Sequence, residues 1–153
     1  MTVSVRRATL EDLDALVPLF DGYRTFYSQP ADPGLAREFL RQRLQRGESA
    51  VLLAERTGKA AGFTQLYPMF SSVRAARTWV LNDLFVDPAL RGGGVGRALL
   101  AAAAAFGREQ GALRLELETT PDNQAAQALY RASGWQPFQE TLRFHLPLAP
   151  APA

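Results

Sequence analysis

Apolar and polar residues alternate along this chain with two different periods, and each period predicts one kind of element. Alternation of period two, or a short apolar run closed by turn residues, predicts strands at residues 2–6, 49–56, 60–70, 78–86 and 112–120. Apolar residues spaced three and four apart predict helices at residues 9–27, 33–46, 95–110 and 121–133. We interpret residues 135–147 as a terminal strand pair, which makes the predicted order βααβββαβαββ.

Capping residues define the predicted helix ends. Thr9 precedes the first helix and Asp32, followed by proline, precedes the second. Gly47, Gly111 and Gly134 follow three of the helices, where a glycine ends a helix at low steric cost. Pro18 is expected to bend the first helix.

This order predicts an α/β fold with a single domain, in which a central mixed and mostly antiparallel sheet is flanked by helices. The domain is expected to span residues 1–147, and residues 148–153 form a Pro/Ala tail expected to be disordered. The chain contains no linker and no internal repeat that would divide it further.

Composition excludes several kinds of chemistry. No apolar run reaches the ~18 residues of a membrane span and the N-terminal residues lack a signal-peptide pattern, so a cytoplasmic protein is expected. The chain has no cysteine and one histidine, His145, which argues against a cysteine nucleophile and against a metal site. With a net charge of +2 and dispersed arginines, nucleic-acid binding has little support.

The stretch RGGGVG, residues 91–96, stands between a predicted strand and a predicted helix. Glycines let backbone N–H groups converge on an anion, and the positive end of the helix dipole reinforces them, with Arg91 and Arg97 adding charge. A P-loop would need lysine and then serine or threonine after the last glycine, and no triplet here has the G-x-G-x-x-G spacing. The alternative is that these glycines only make a tight turn.

The pattern R-x-x-G-x-G, formed by Arg91, Gly94 and Gly96 after a strand, resembles the acetyl-CoA pyrophosphate loop of the GNAT superfamily of N-acetyltransferases. Asn123, Tyr130 and the SGW stretch at 133–135 match the family's later helix. The resemblance is specific between residues 78 and 135 and is one of layout alone before residue 70. The family therefore implies the fold already predicted and an activity that transfers an acetyl group to an amine.

The resemblance also implies which residues contact acetyl-CoA. They are the strand end Leu84, Phe85 and Val86, whose backbone N–H groups would stabilise the developing oxyanion, the loop Arg91, Gly92, Gly93, Gly94, Val95, Gly96 and Arg97, and Asn123 with Tyr130. Asn123 and Tyr130 lie about two helical turns apart and share a face. Tyr130 is the expected general acid for the departing thiolate, although an aromatic at helical spacing also suits a core. Without cysteine, direct attack in a ternary complex is expected.

The general base is less narrowly specified. Asp83 is the first choice, as a catalytic or amine-binding residue, and Glu116 and Glu118 on the following strand are alternatives. In polyamine acetyltransferases of the superfamily the corresponding strand has two adjacent acids, whereas this chain has Asn82 before Asp83.

The acceptor site is expected near the first helix. Tyr23, Phe26 and Tyr27 share a helical face and would either wall a cationic amine or pack in the core. Together with Asp83 and Glu118, Tyr23 and Tyr27 are the expected substrate-binding residues. Acceptors of two kinds remain open, a small-molecule amine or polyamine and the lysine or N-terminal amine of a peptide.

Two other functions remain as alternatives, a non-catalytic module that binds a CoA ester and a nucleotide-binding regulator. The expected partners are acetyl-CoA and an amine, without metal, membrane or nucleic acid. A homodimer is left open, and so are the length of the acyl chain and the identity of the base.

Overall fold

The computed structural model describes residues 2–150 of the chain. Its strands are β1 (Val3–Arg7), β2 (Ala50–Arg56), β3 (Lys59–Ser71), β4 (Ala76–Val86) and β5 (Leu115–Glu116). Its α-helices are α1 (Leu13–Phe26), α2 (Pro33–Gln45), α3 (Val95–Glu109) and α4 (Gln124–Ala132), with short 3₁₀ turns at Leu10–Asp12 and Pro88–Leu90. Among these residues no helix is long and apolar enough to cross a membrane.

The strands form one mixed sheet in the order β1-β2-β3-β4-β5. Neighbours from β1 to β4 are antiparallel, and β4 and β5 are parallel. The parallel ladder is only two residues long, Trp79 and Val80 of β4 against Leu115 and Glu116 of β5. The second half of β4 therefore pairs with β3 alone, and the sheet opens between the ends of β4 and β5.

Helices cover both faces of the sheet, which confirms the predicted α/β fold. Helix α3 packs on one face against a core whose buried members include Leu52, Leu66, Leu81, Leu99 and Phe106. Helices α1 and α2 pack on the other face, where the buried residues include Leu16, Phe20, Leu40, Leu53 and Phe63. Because both faces are covered, the strands are apolar on both sides, as in buried sheets generally.

The predicted helix ends are confirmed in most places. Thr9 accepts a hydrogen bond from Glu11 and forms a capping box with Asp12, and Asp32 caps α2. Gly47, Gly111 and Gly134 all have positive φ, as expected of glycines that follow helices. The first helix differs in one respect, since a 3₁₀ turn at Leu10–Asp12 precedes α1.

Two predictions about the C-terminal third are wrong. The strand expected over residues 112–120 is reduced to Leu115–Glu116, because β4 pairs with it over only two residues. The terminal strand pair expected over 135–147 is absent, and residues 136–150 contain neither helix nor strand. Their alternating apolar residues satisfy the period of a strand, but a strand also needs a hydrogen-bonding edge, and within residues 2–150 this segment pairs with none. Of the expected Pro/Ala tail, residues 151–153 lie outside the described residues.

Gly62 keeps β3 and β4 close where β4 ends. A Cβ atom at Gly62 would lie 2.7 Å from the carbonyl oxygen of Phe85 and 3.1 Å from Val95 of α3. Backbone cannot turn aside as a side chain can, so we expect Gly62→Ala to destabilise the fold by about 1–3 kcal/mol. The matched control is Gly34→Ala in α2, where a Cβ atom would meet nothing closer than 3.7 Å and should gain helix propensity. Urea denaturation measures both, and equal midpoints would contradict the prediction.

Candidate active site

A β-bulge in β4 determines which face of the sheet carries the candidate base. Gln65 of β3 is opposite Asp83 while its neighbour Leu66 is opposite Leu81, so Asn82 is an extra residue in β4. Before the bulge, Leu81 packs in the α3 core, and after it Phe85 packs in the α1 core. The extra residue therefore turns Asp83 and Phe85 to the α1 face.

Asp83 is almost completely buried, and both of its carboxylate oxygens accept hydrogen bonds. The side-chain amide of Gln65 donates to one oxygen at 2.7 Å, and that of Asn82 donates to the other at 2.7 Å. The Ser49 hydroxyl in turn donates to the Gln65 side-chain oxygen at 2.8 Å. Thr64 donates to the backbone carbonyl of Asp83 at 2.7 Å, which fixes the main chain at the bulge.

Burial raises the pKa of Asp83 to about 6, although the hydrogen bonds from Asn82 and Gln65 act in the opposite direction by favouring the charged form. A carboxylate with a pKa in this range is mostly ionised at neutral pH and yet basic enough to accept a proton. Of the acids considered in the sequence, Asp83 therefore has the environment that a general base needs.

Tyrosines form a group beside this carboxylate, and two of them lie near it directly. Tyr23 and Tyr67 lie within electrostatic range of Asp83, and burial together with that charge raises the pKa of each well above its ordinary value. The Tyr23 hydroxyl donates to the backbone carbonyl of Asn82 at 3.0 Å. Tyr27 and Tyr130 lie within electrostatic range of Tyr23 and of each other. The result is a cluster of four tyrosines, of which Tyr23 and Tyr67 lie within electrostatic range of Asp83.

The strand end Leu84–Val86 presents backbone N–H groups to the opening in the sheet. Asp87 donates its N–H to Ala61 of β3 at 2.8 Å, so Asp87 and, two residues earlier, Phe85 bond towards β3. In an antiparallel ladder the residues between such pairs point their backbone groups the other way. The N–H groups of Leu84 and Val86 therefore face the gap between β4 and β5.

Backbone conformation accounts for two glycines of the loop that follows β4, and side-chain contacts account for two others. Gly92 and Gly94 have φ of +82°, which side-chain-bearing residues rarely adopt. A Cβ atom at Gly93 would overlap the Arg56 guanidinium, which donates to the Leu90 carbonyl at 3.4 Å. A Cβ atom at Gly96 would lie 3.1 Å from Leu129 of α4. Backbone conformation and contacts within the protein thus account for each glycine, so their number is not by itself an argument for anion binding.

The stronger argument for an anion site is the uncapped start of α3. The side chains of Thr9, Asp32, Asp87 and Asn123 cap other helical segments, but Gly94 at the start of α3 has no side chain to do so. The first N–H groups of a fifteen-residue helix are thereby left for another acceptor. Arg91 and Arg97 are exposed beside them, and Arg91 is held by a 3.3 Å hydrogen bond to the Val86 carbonyl.

Helix α4 brings Tyr130 towards this region. Leu129 packs against the start of α3, and the Tyr130 ring lies 6.3 Å from the ring of Trp135. Burial raises the pKa of Tyr130, so its hydroxyl stays protonated at neutral pH and is able to donate. Asn123 caps α4 through its side-chain oxygen, which accepts from Ala126 at 3.2 Å. That cap is the local role the sequence allowed, and the amide nitrogen remains for a cofactor.

Other expected site residues lie apart from Asp83. Glu118 is paired with Arg143, and Glu116 with Arg114 at 3.2 Å, and within residues 2–150 neither acid is bonded to the Asp83 network. Both acids are therefore weaker candidates for the base. Phe26 is 57% exposed and Tyr27 is 50% exposed, whereas Tyr23 packs against the α1 core. Phe26 lines a groove of about 450 Å³ between α1 and the end of β4, together with Gly22, Phe85 and Arg91.

Sequence reasoning missed four residues of this region, namely Ser49, Gln65, Tyr67 and Arg56. Gln65, Tyr67 and Arg56 reach it through strand pairing across β2, β3 and β4, and Ser49 directly precedes β2. The available signal for Gln65 and Tyr67 is alternation, since both share the parity of Phe63 on one face of β3. The bulge that brings them opposite Asp83 has no such signal.

Known proteins resemble this chain over most of its length. The family model described as acetyltransferase (GNAT) family matches residues 16–135. The Bacillus subtilis (strain 168) protein named uncharacterized N-acetyltransferase YhfO is 45% identical over 134 residues, 88% of this chain and 90% of that protein. A crystal structure of a probable acetyltransferase has a TM-score of 0.91 at 40% identity, covering 97% of this chain and 99% of its own. The aminoglycoside N-acetyltransferase AAC(6')-Iy in complex with CoA has the same fold, with a TM-score of 0.79 at 22% identity over 95% of each chain.

Proposed function

The chain belongs to the acetyltransferase (GNAT) family, and from this premise we propose that it transfers the acetyl group of acetyl-CoA to a primary amine. The acceptor is a small-molecule amine or polyamine, or the lysine or N-terminal amine of a peptide. The observation that carries the proposal is the buried Asp83 in β4, a strand whose open end, at Val86, lies near the start of α3, which has no side-chain cap.

The anionic part of acetyl-CoA is assigned to the loop between β4 and α3. The N–H groups of Gly92 to Arg97 offer donors, the α3 dipole offers a positive field, and the exposed Arg91 and Arg97 offer charge. The gap between β4 and β5 is assigned to the thioester arm, since the N–H groups of Leu84 and Val86 face it. The Asn123 amide nitrogen and Tyr130 are assigned to the same arm, because Leu129, next to Tyr130, lies against the start of α3. These residues suit a long anionic ligand with one carbonyl group.

In the mechanism we propose, each proton has a defined place. Asp83 accepts a proton from the amine, directly or through water, while the nitrogen forms its bond to the acetyl carbon. The N–H groups of Leu84 and Val86 stabilise the negative charge that develops on the acetyl oxygen. Tyr130 donates its hydroxyl proton to the sulfur as the carbon–sulfur bond breaks. The products are an N-acetylated amine and CoA with a free thiol.

The tyrosine cluster is assigned to the acceptor. Tyr23 and Tyr27 have ring centroids 5.1 Å apart, and their faces suit a cationic amine, which releases one proton to solvent so that the neutral amine attacks and passes its next proton to Asp83. Tyr67 joins them from β3. Glu118 is exposed and ion-paired, so it takes part only if the acceptor is large enough to reach β5.

Calorimetric titration with acetyl-CoA tests the cofactor assignment. We expect micromolar binding, about −8 kcal/mol, with ATP much weaker. Gly94→Asp should abolish it, because a carboxylate at the start of α3 repels phosphate and takes the free N–H groups itself. Gly94→Asn keeps the shape without the charge and should retain partial binding. Gly111→Asp places the same residue at another glycine of positive φ, beyond the other end of α3, and should bind normally. A folded wild-type protein that does not bind acetyl-CoA would contradict the proposal.

Tyr130→Phe tests turnover separately from binding. Thiol release is measured with acetyl-CoA and a panel of a lysine peptide, an N-terminal alanine peptide, spermidine and kanamycin. We expect kcat with the best amine to fall about 100-fold, since a general acid typically contributes that much, while the Kd of acetyl-CoA stays unchanged. A variant with wild-type kcat would remove Tyr130 from the mechanism. A wild-type protein that binds acetyl-CoA and ATP equally would favour the nucleotide-binding alternative.

We also propose a homodimer that forms through residues 136–150. One side of this segment is apolar and exposed. It carries residues at every second position, each at least 83% exposed, namely Leu142, Phe144, Leu146 and Leu148. Sedimentation velocity at micromolar concentration should give twice the mass of the 16.8 kDa chain. Leu142→Asp combined with Phe144→Asp should give a single chain. A wild-type protein that sediments as one chain at all concentrations would contradict the dimer.

A cytoplasmic location is proposed on composition alone. A chain without cysteine forms no disulfide, so its stability does not depend on the oxidising compartments in which disulfides form.

A further inference from the structure

A chain of hydrogen bonds crosses the interior from Ser49, directly before β2, to Asp83 of β4, the candidate base. The Ser49 hydroxyl donates to the Gln65 side-chain oxygen, and the Gln65 amide nitrogen donates to Asp83. Ser49 is 5% exposed, Gln65 is fully buried and Asp83 is 1% exposed. Polar side chains this deep are costly unless each finds its partner, so the three groups stabilise one another.

The Asp83 carboxylate and Ser49 together hold one orientation of the Gln65 amide. A side-chain amide has a donating nitrogen at one end and an accepting oxygen at the other. An ionised carboxylate only accepts hydrogen bonds, so it requires the nitrogen to face it, and the Ser49 hydroxyl holds that orientation by donating to the oxygen. The opposite orientation would place the amide oxygen against a carboxylate oxygen, and both carry negative charge.

The two carboxylate oxygens are held from different sides. Gln65 contacts Oδ2 from the interior, whereas Asn82 contacts Oδ1 from an exposed position in the bulge. The interior bond cannot be replaced by solvent without opening the sheet, but Asn82 is free to give way to an arriving group. Oδ1 is thus the oxygen that an acceptor amine is able to reach.

We propose that Ser49 and Gln65 are positioning residues that hold the Asp83 carboxylate from within, so that Oδ1 remains directed at the acceptor amine. The kinetic part of this inference rests on the proposed function, in which Asp83 is the base. The positioning itself concerns the carboxylate and is measurable without any acceptor.

The ionisable groups that face Asp83 come from two other elements. Tyr23 of α1 and Tyr67 of β3 both have a pKa far above neutral, so they stay protonated while Asp83 titrates. Arg43 of α2 lies within electrostatic range of Tyr67. A change in the titration of Asp83 between pH 4 and 8 therefore reports on its own hydrogen bonds and burial.

The experiment is a carbon-13 NMR titration of the aspartate carboxyl groups in the whole chain. Asp83→Asn assigns the signal in the wild-type spectrum. Gln65→Met removes the donor and keeps an unbranched side chain of similar length, and Ser49→Ala removes only the hydroxyl. The matched control is Thr64→Val, which removes an equally buried hydroxyl that bonds the Asp83 backbone rather than its carboxylate. Thermal unfolding by circular dichroism checks that each variant folds.

We expect the wild-type carboxyl to titrate near pH 6. In Gln65→Met its midpoint should rise by about one pH unit, because a hydrogen bond to the charged form is lost. Ser49→Ala should move it in the same direction by less, since the amide is then free to turn, and Thr64→Val should leave it in place. If Gln65→Met fails to fold, Ser49→Ala decides the question alone.

A midpoint that stays at the wild-type value in both Gln65→Met and Ser49→Ala would overturn the inference. The kinetic arm follows the acidic limb of kcat/KM with acetyl-CoA and the fastest amine of the panel. A limb that moves together with the NMR midpoint supports both the positioning and the role of Asp83 as base. A midpoint that moves while the limb does not would support the positioning and overturn Asp83 as the base.

Discussion

The pairing of β3 with β4 is the constraint on which the site depends, and its one irregularity matters as much as its length. The ladder runs from Gly62 opposite Val86 to Ser71 opposite Ala76, with Asn82 as the extra residue. In a regular strand Asp83 would share a face with Leu81, which lies in the α3 core, because side chains alternate with period two. A carboxylate there would have no amide to receive it. The bulge instead turns Asp83 to the face on which Gln65 of β3 lies opposite it.

Burying a carboxylate is unfavourable, and here the cost has a chemical use. The buried Asp83 has a pKa near 6 rather than below 4, which makes it a better proton acceptor than an exposed aspartate would be. Two amide donors keep the rise moderate, so that the group still ionises at neutral pH. The neighbouring tyrosines respond to the same charge, since it helps to keep their hydroxyls protonated. A proton acceptor and several proton donors thus occur side by side because one charge is buried among them.

Local signals along the sequence correctly indicated the helices, the long strands and the glycine loop. Capping residues act within a few positions of their own, so their effect is predictable from the sequence alone, as it is for Thr9, Asp32 and the helix-ending glycines. Asp83 was identifiable because it stands in a strand that leads to the loop. Gln65 and Ser49 were not, because their relation to Asp83 depends on the register of three strands. The prediction of a strand pair over residues 135–147 was wrong for a related reason. Alternation in residues 136–150 indicates that one side of the segment is apolar, but it does not indicate what covers that side.

The glycine loop shows how an expectation can rest on an incomplete argument. Four glycines in six residues suggested a backbone that a ligand approaches closely. In the structure, Arg56 occupies the space beside Gly93 and Leu129 the space beside Gly96, while Gly92 and Gly94 supply positive φ. Backbone conformation and contacts within the protein thus account for each glycine. The positive φ of Gly94 also means that α3 begins without the side-chain cap that Asp32 gives α2. A helix start without a side-chain cap beside two exposed arginines is the feature that a phosphate group would complete.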